Sequence, residues 1–464
     1  MRDSICSQDT NLRGVLEAIN ADPAGTSFIT NPDQQLVGIL TDGDFRRMLL
    51  AGRSLEDPLM PSDLKPFIAA RKGESMEEIM KRTDKRVRIV PIIDDNGRML
   101  DYFRYEHKTH FTPVAEPSLS DKELQYLTDA FLSTWISSRG KYIDRFEADF
   151  AEFCQCSHGV ATANGTVALH LALAAWGIGP GDEVIVPDLT FAATINAVLY
   201  TGATPVIVDV ERDRWTLCPA EFAKAVTPNT KAVIPVHVYG MACRMDAIME
   251  VADKHGIKVL EDCAEAHGAT FKGKRVGSWG HAGTFSFFAN KIITTGEGGM
   301  VVTRDPELDA RMRVLRDHGM KPGKRYWHDE VGYNYRMTNL QAAIGCAQLE
   351  RIDEIIAGHA ALEKRYMEAL ADFSVTWPTD FDDSGRVIWL ISVLVEQRDA
   401  IMAACKDRGV DVRPFFYPLS TMPAYEQYAF SGDNARWLAA RGLNLPTVDT
   451  VDLDRIQEAL QQPA

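Results

Sequence analysis

From Glu183 onward, short apolar runs alternate with helical stretches along the chain. The order is EVIVPD, a helix from Phe191, TPVIVDV, TKAVIPVHV, a helix near Asp246 to His255, IKVLED, GTFSFF, GGMVVT and a helix from Pro306. Strands separated by helices pair through crossovers, so this alternation predicts an α/β fold with a mainly parallel sheet covered by helices.

The chain of 464 residues is longer than one ordinary domain, which predicts two or three cores. From about Thr10 to Glu106 a separate pattern runs twice: an amphipathic helix, a short apolar strand, a polar turn and another strand. The segments are LRGVLEAINADP with TSFITNPDQQLVGILTDGDFRRMLLAG, then MEEIMKRTDKRVRIVPIIDDNGRML, and they form an internal repeat. A polar connection with Pro113 and Pro117 follows, before an amphipathic helix from Asp121 to Thr134. After about Gln348, long helical stretches with VIWLISVLV and DVRPFFYP suggest a smaller α+β domain. The expected domains are therefore residues 1–112, 113–350 and 351–464.

A formal net charge of −15 argues against general binding to nucleic acid or anionic lipid, both of which need basic surface. The start, MRDSICSQDT, has no apolar signal-like core, and no run approaches the roughly 18 apolar residues of a membrane helix. The expected location is the cytoplasm. Eight cysteines without regular spacing read as reduced thiols, and Cys154 with Cys156 forms a lone CxC, so no metal site is expected.

Chemistry concentrates at three strand ends. Ala161-Thr162-Ala163-Asn164-Gly165-Thr166 precedes the helical run VALHLALAAWG, and free amides at a helix start attract a phosphate while Gly165 permits close approach. The strand VLED delivers Asp262, where a carboxylate can hold a pyridine nitrogen protonated. Lys291 lies between apolar SFFAN and a glycine-rich turn containing Gly296, Gly298 and Gly299; apolar neighbours lower an amine's pKa, and Ser286 can reach the same phosphate. Each feature alone has an ordinary reading: a capped turn, a turn aspartate, a surface lysine. Together they point to pyridoxal 5'-phosphate.

The segment from about Glu116 to the C-terminus resembles the DegT/DnrJ/EryC1/StrS sugar aminotransferases, a fold-type I pyridoxal phosphate group. The resemblance rests on WISSRGKYIDRFE, NGTVALHLAL, PDLTFAATINAV, EDCAEAHGA, SFFANKIITTGEGGM, RDHGM, GYNYRMTNLQAAIG and RPFFYPL. It implies catalytic roles for Lys291, which would carry the cofactor and shuttle a proton, and for Asp262, which would pair with the pyridine nitrogen. It further implies that Phe191 stacks on the ring, that Gly165, Thr166 and Ser286 bind phosphate, and that Glu265 stands near the phenolic oxygen, where the family often has Gln. Asn334 would reach the phosphate of a neighbouring subunit's cofactor, making the active unit a homodimer with shared sites. Trp135 and the run Lys324-Arg325-Tyr326-Trp327-His328 would contact the nucleotide sugar. That run resembles enzymes aminating C4 of GDP-4-keto-6-deoxymannose, with glutamate as donor; a UDP- or dTDP-linked ketone is the alternative substrate. A branch that removes a hydroxyl replaces the lysine by histidine, so Lys291 favours transamination.

The N-terminal repeat resembles a pair of CBS modules. Gly38-Ile39-Leu40-Thr41-Asp42-Gly43-Asp44 matches that family's pattern, implying that Thr41 and Asp44 contact an adenine nucleotide. The second half keeps Pro91-Ile92-Ile93-Asp94 but reads Asp101-Tyr102-Phe103-Arg104-Tyr105-Glu106 where the pattern should recur, so one ligand site is expected to be lost. Thr41 and Asp44 can equally cap the helix that begins near Phe45. A non-catalytic aminotransferase fold governed by the CBS pair is the alternative of a different class.

Overall fold

A computed structural model describes residues 4–21, 25–74, 78–79, 82, 87, 89–104 and 111–461. The chain divides into two compact units, Met1–Thr109 and His110–Ala464. No helix among the described residues is long and apolar enough to cross a membrane.

In the first unit, β1 (Ile5–Ser7), β2 (Thr26–Thr30) and β3 (Leu36–Thr41) form one sheet. A second sheet contains β4 (Ala70–Arg71), β5 (Ile89–Ile93) and β6 (Met99–Arg104). Both pair the first two strands in parallel and the last two in antiparallel fashion, with a register shift near the turn, at Ile29/Thr30 and at Ile92/Ile93. The turns repeat as well: Asn31 Oδ1 accepts the Gln35 amide (2.9 Å) and Asp94 Oδ1 accepts the Arg98 amide (2.8 Å). Side chains that bond their own backbone a few residues on are the usual means of fixing a tight connection. The two turns meet, with the Leu36 amide donating to the Gly97 carbonyl at 2.9 Å. The internal repeat is thus present in the backbone. Tyr105, Glu106 and much of the MEEIMKRTDK helix lie outside the described residues.

In the second unit a seven-stranded sheet has the order β7-β15-β14-β11-β10-β8-β9. Its strands are β7 (His158–Thr162), β8 (Glu183–Pro187), β9 (Thr204–Val208), β10 (Thr230–Val233), β11 (Lys258–Asp262), β14 (Ala282–Ser286) and β15 (Gly299–Thr303); a short hairpin supplies β12 (Thr270–Phe271) and β13 (Lys274–Arg275). Pairing is parallel from β14 through β11, β10 and β8 to β9, and β15 runs antiparallel between β7 and β14. Alternate residues enter different cores. Ile185, Val259, Phe285 and Met300 join the layer around Phe146 and Phe150; Val184, Leu260 and Val301 join the layer around Leu169 and Leu171. Strands sandwiched in this way must be apolar on both sides, which is why they read as continuous runs. The helix Gly165–Ala175 is apolar nearly all round for the same reason: it packs on β14 and β15 and beneath the helices Ala192–Thr201 and Pro306–Arg316.

β7, β8, β11 and β14 end at one edge of the sheet, so Asn164, Phe191, Asp262 and Ser286 are delivered to one place. Beyond the long helix Ile352–Ala369, an antiparallel sheet of order β16-β18-β20-β19 packs with helices Arg398–Asp407 and Leu453–Gln461 around a third core. Its strands are β16 (Val375–Thr376), β18 (Ile391–Val395), β19 (Arg413–Pro414) and β20 (Gly442–Leu445), while β17 (Ser384–Gly385) pairs with β12. The parallel and antiparallel layers belong to the same compact unit.

Candidate active site

At the end of β7, Asn164 caps the helix Gly165–Ala175, its side-chain oxygen accepting the Val167 amide at 3.0 Å. The first amides of any helix lack intrahelical partners, so those of Gly165 and Thr166 remain for an anion. A Cβ on Gly165 would stand 2.8 Å from Ser286 Cβ; glycine is what lets β14 close on this helix start.

Asp262, at the end of β11, is buried and accepts from Thr194 Oγ1 (2.9 Å) at one oxygen and from the Ala264 amide (3.2 Å) at the other. Burial pushes its pKa up, against those two donors and the nearby Lys291 amine. Glu265, one turn further, accepts the Tyr239 amide at Oε2 (2.8 Å), and its Oε1 lies 3.6 Å from Lys291 Nζ. Burial raises the Glu265 carboxyl to about 7, with Lys291 and the Tyr239 amide opposing. Lys291 itself is pushed below its ordinary range by burial, while Glu265 and Asp262 pull it back. Its Nζ rests 3.8 Å from the centre of the Trp389 ring, whose Nε1 donates to the Asn290 carbonyl at 2.7 Å. Tyr239 holds this arrangement together. Its φ of +51° is unusual for a side chain of this size, and its hydroxyl accepts the Phe416 amide at 2.7 Å while its ring stacks on Trp389 and Phe416.

Gly165, Thr166, Phe191, Asp262, Glu265, Ser286 and Lys291 all line one cavity of about 620 Å³. Other residues predicted from sequence lie elsewhere in the chain. Asn334 accepts from Arg336 (3.1 Å), Lys324 Nζ lies 3.5 Å from the centre of the Trp327 ring, and the Arg325 guanidinium lies over Tyr326. His328 Nδ1 meets the His318 carbonyl at 2.9 Å, and Trp135 and Tyr326 are 59 % and 74 % exposed. None of Asn334, Trp135 and the five residues Lys324 to His328 lines the cavity of its own chain. Sequence reasoning missed Thr194, Tyr239 and Trp389. Thr194 lies three residues beyond Phe191, so the helix period could have signalled it; Tyr239 and Trp389 carry no local motif.

In the first unit, Thr41 and Asp44 form a capping box on the helix Asp42–Leu50. Asp44 is further bonded by Arg47 (2.7 Å) and Lys65. Burial acts to raise its pKa, but the hydrogen bonds from Lys65, Thr41 and Arg47 prevail and hold it well below the usual range.

The cavity fits pyridoxal phosphate by its donor set: unpartnered amides beside Ser286 for a phosphate, a buried acid for a ring nitrogen, and a desolvated amine for an aldehyde. Such a site on this fold defines a pyridoxal phosphate-dependent enzyme. Residues 117–462 match the DegT/DnrJ/EryC1/StrS aminotransferase family, and the chain belongs to that family of pyridoxal phosphate-dependent aminotransferases. It is 48 % identical over 360 residues to the GDP-perosamine synthase of Caulobacter vibrioides, covering 75 % of this chain and 97 % of that one. The GDP-perosamine synthase of Vibrio cholerae is 44 % identical, with 75 % and 96 % covered. Among solved structures, the pyridoxal phosphate form of Spr1654 from Streptococcus pneumoniae superposes with a TM-score of 0.71 at 26 % identity, covering 75 % of this chain and 96 % of that one.

The Glu265 carboxyl makes stability depend on pH. Because its folded pKa of about 7 exceeds the ordinary 4.5, folding binds a proton; the stabilisation is complete below pH 4.5 and is lost as pH rises through 7. Urea unfolding of the cofactor-free protein is expected to show this decline in wild type and a flatter profile in Glu265→Gln.

Proposed function

We propose that the chain transfers an amino group from glutamate to C4 of GDP-4-keto-6-deoxymannose, giving GDP-perosamine. The observation that carries this reading is the 48 % identity across nearly the whole of the Caulobacter GDP-perosamine synthase. When bound, the cofactor supplies an electron sink for the pair released as the substrate carbon loses its proton. Lys291 Nζ is placed to take that proton and would return it to the bound cofactor; burial lowers the amine's pKa, which favours its acting as a base. Asp262 would hold a proton on the ring nitrogen, and Thr194 and Ala264 orient its two oxygens. Gly165, Thr166 and Ser286 would hold the phosphate, and Phe191, which lines the same cavity, would pack on the ring. A non-catalytic reading finds no support in a cavity that gathers amine, acid and anion site.

A panel of GDP-, UDP- and dTDP-linked 4-keto sugars with glutamate, products identified by mass, tests the substrate. Turnover is expected with the GDP-4-keto-6-deoxymannose member and preference for another nucleotide would refute it. Borohydride treatment of the cofactor-loaded enzyme is expected to tag the peptide containing Lys291, and Lys291→Ala to abolish turnover with the fold intact.

The same reading makes the active unit a homodimer. Leu124, Phe131, Leu132, Trp135 and Ile136 leave an apolar face exposed next to the helix Asp121–Leu132, and such faces mark interfaces. Asn334, Trp135 and Lys324 to His328, all outside their own cavity, would then serve the partner's. Mixing inactive Lys291→Ala with impaired Asn334→Ala subunits is expected to restore activity, since each hybrid regains one complete site; no gain on mixing would mean that Asn334 acts within its own chain.

For the first unit, the doubled sheet supports a CBS pair with an adenine nucleotide at Thr41 and Asp44. A nucleotide there must compete with Lys65 and Arg47 for the Asp44 carboxylate. Calorimetric titration is expected to give heat with wild type and none with Asp44→Ala; equal heats would refute the site.

A further inference from the structure

Asp262, Glu265 and Lys291 share one buried space, yet their hydrogen bonds are unequal. Asp262 accepts at both oxygens, from Thr194 and Ala264. Glu265 accepts the Tyr239 amide at Oε2 alone, and Oε1 faces Lys291 Nζ across 3.6 Å, just beyond hydrogen-bonding reach. An ammonium and a carboxylate facing each other where little water can solvate them each lose hydration, so burial favours the pair as neutral amine and carboxylic acid. The carboxylate with fewer donors takes the proton, and Oε1 is its free oxygen.

Neighbouring ionisable groups do not compete. The Tyr239 phenol is engaged by the Phe416 amide and burial pushes its ionisation far up. His267 is buried among Phe150, Phe285 and Phe287, and burial lowers it to about 3, so the ring stays neutral. Glu261 favours a second proton on His237, but His237 Nδ1 accepts the Cys243 amide (3.0 Å), so the ring keeps its one proton at Nε2, facing Glu261. Glu261 is meanwhile satisfied by the amides of Gly277 (2.8 Å) and Gly280 (2.7 Å).

We propose that Glu265 is the proton-exchange partner of Lys291: a proton passes between Lys291 Nζ and Glu265 Oε1, converting ammonium and carboxylate into neutral amine and carboxylic acid. The N–H bond breaks with its electron pair left on nitrogen, an O–H bond forms at Oε1, and the charge of the site is unchanged. The neutral amine needed for chemistry is thus produced inside the cavity, without a base from solvent. This deepens the proposed function and rests on Lys291 being its reacting amine.

The test uses cofactor-free protein, so it reads out whether or not Lys291 carries the cofactor; loss of borohydride tagging would defeat the function while leaving these titrations intact. In the infrared, wild type is expected to show a buried carboxylic acid band that is absent from Glu265→Gln and titrates with a midpoint near 7. Lys291→Met removes the cation that favours the carboxylate and is expected to raise that midpoint by about one unit or more. Reciprocally, the pH midpoint for labelling of Lys291 by an amine-reactive anhydride, read by peptide mass spectrometry, is expected to fall by a similar amount in Glu265→Gln. Either variant alone suffices if the other does not fold. Absence of the band, or midpoints indifferent to the partner's replacement, overturns the proposal.

Discussion

Burying an amine beside two acids is costly unless each charge is answered at short range, and the second unit is organised around meeting that demand. Thr194 and Ala264 answer Asp262, the Tyr239 amide answers Glu265, and the face of Trp389 lies against Lys291. Those partners come from the helix after β8, the turn after β11, the segment after β10 and the antiparallel layer near the C-terminus. A parallel sheet brings them together because its strands release their chains at a common edge. The same apolar strands that pay for folding by burial on both faces therefore set the positions of the polar groups at their ends.

The parts of this site that were legible in the sequence are those in which one short segment carries both the structural signal and the chemistry. Asn164-Gly165-Thr166 is a helix start and an anion site at once; Asp262 closes an apolar strand; Lys291 follows one. Tyr239 and Trp389 had no such signature. Their roles arise from packing between segments some 150 residues apart in the chain, including a left-handed backbone at Tyr239 that no local preference for a bulky residue would suggest. The repeat in the first unit was legible because each half runs through a helix, an apolar strand, a polar turn and a further strand; the structure adds that Asn31 and Asp94 begin equivalent turns with the same backbone bond.

At Thr41 one motif serves the helix start whether or not a ligand binds there. A hydroxyl and a carboxylate three residues apart at a helix start satisfy one another, and here Asp44 also collects two cations. Thr166 is different: the cap of its helix is made by Asn164, leaving neighbouring amides free, and Ser286 approaches from another strand. What separates the two sites is whether local donors are already spent. The family match, which begins at residue 117, concerns the second of these and leaves the first unit outside it.

The kink at Tyr239 and Gly240 is one of the places where the backbone joins two parts of the second unit, the pairing of β12 with β17 being another. The Val387 amide donates to the Gly240 carbonyl (3.3 Å), a Cβ at Gly240 would stand 1.9 Å from the Val387 carbonyl oxygen, and Phe416 holds the Tyr239 hydroxyl. The segment leading into the antiparallel layer is thus tethered one residue from the amide that steadies Glu265. A substitution that displaces this contact therefore acts on the backbone that carries the amide Glu265 accepts, as well as on the packing of the C-terminal region.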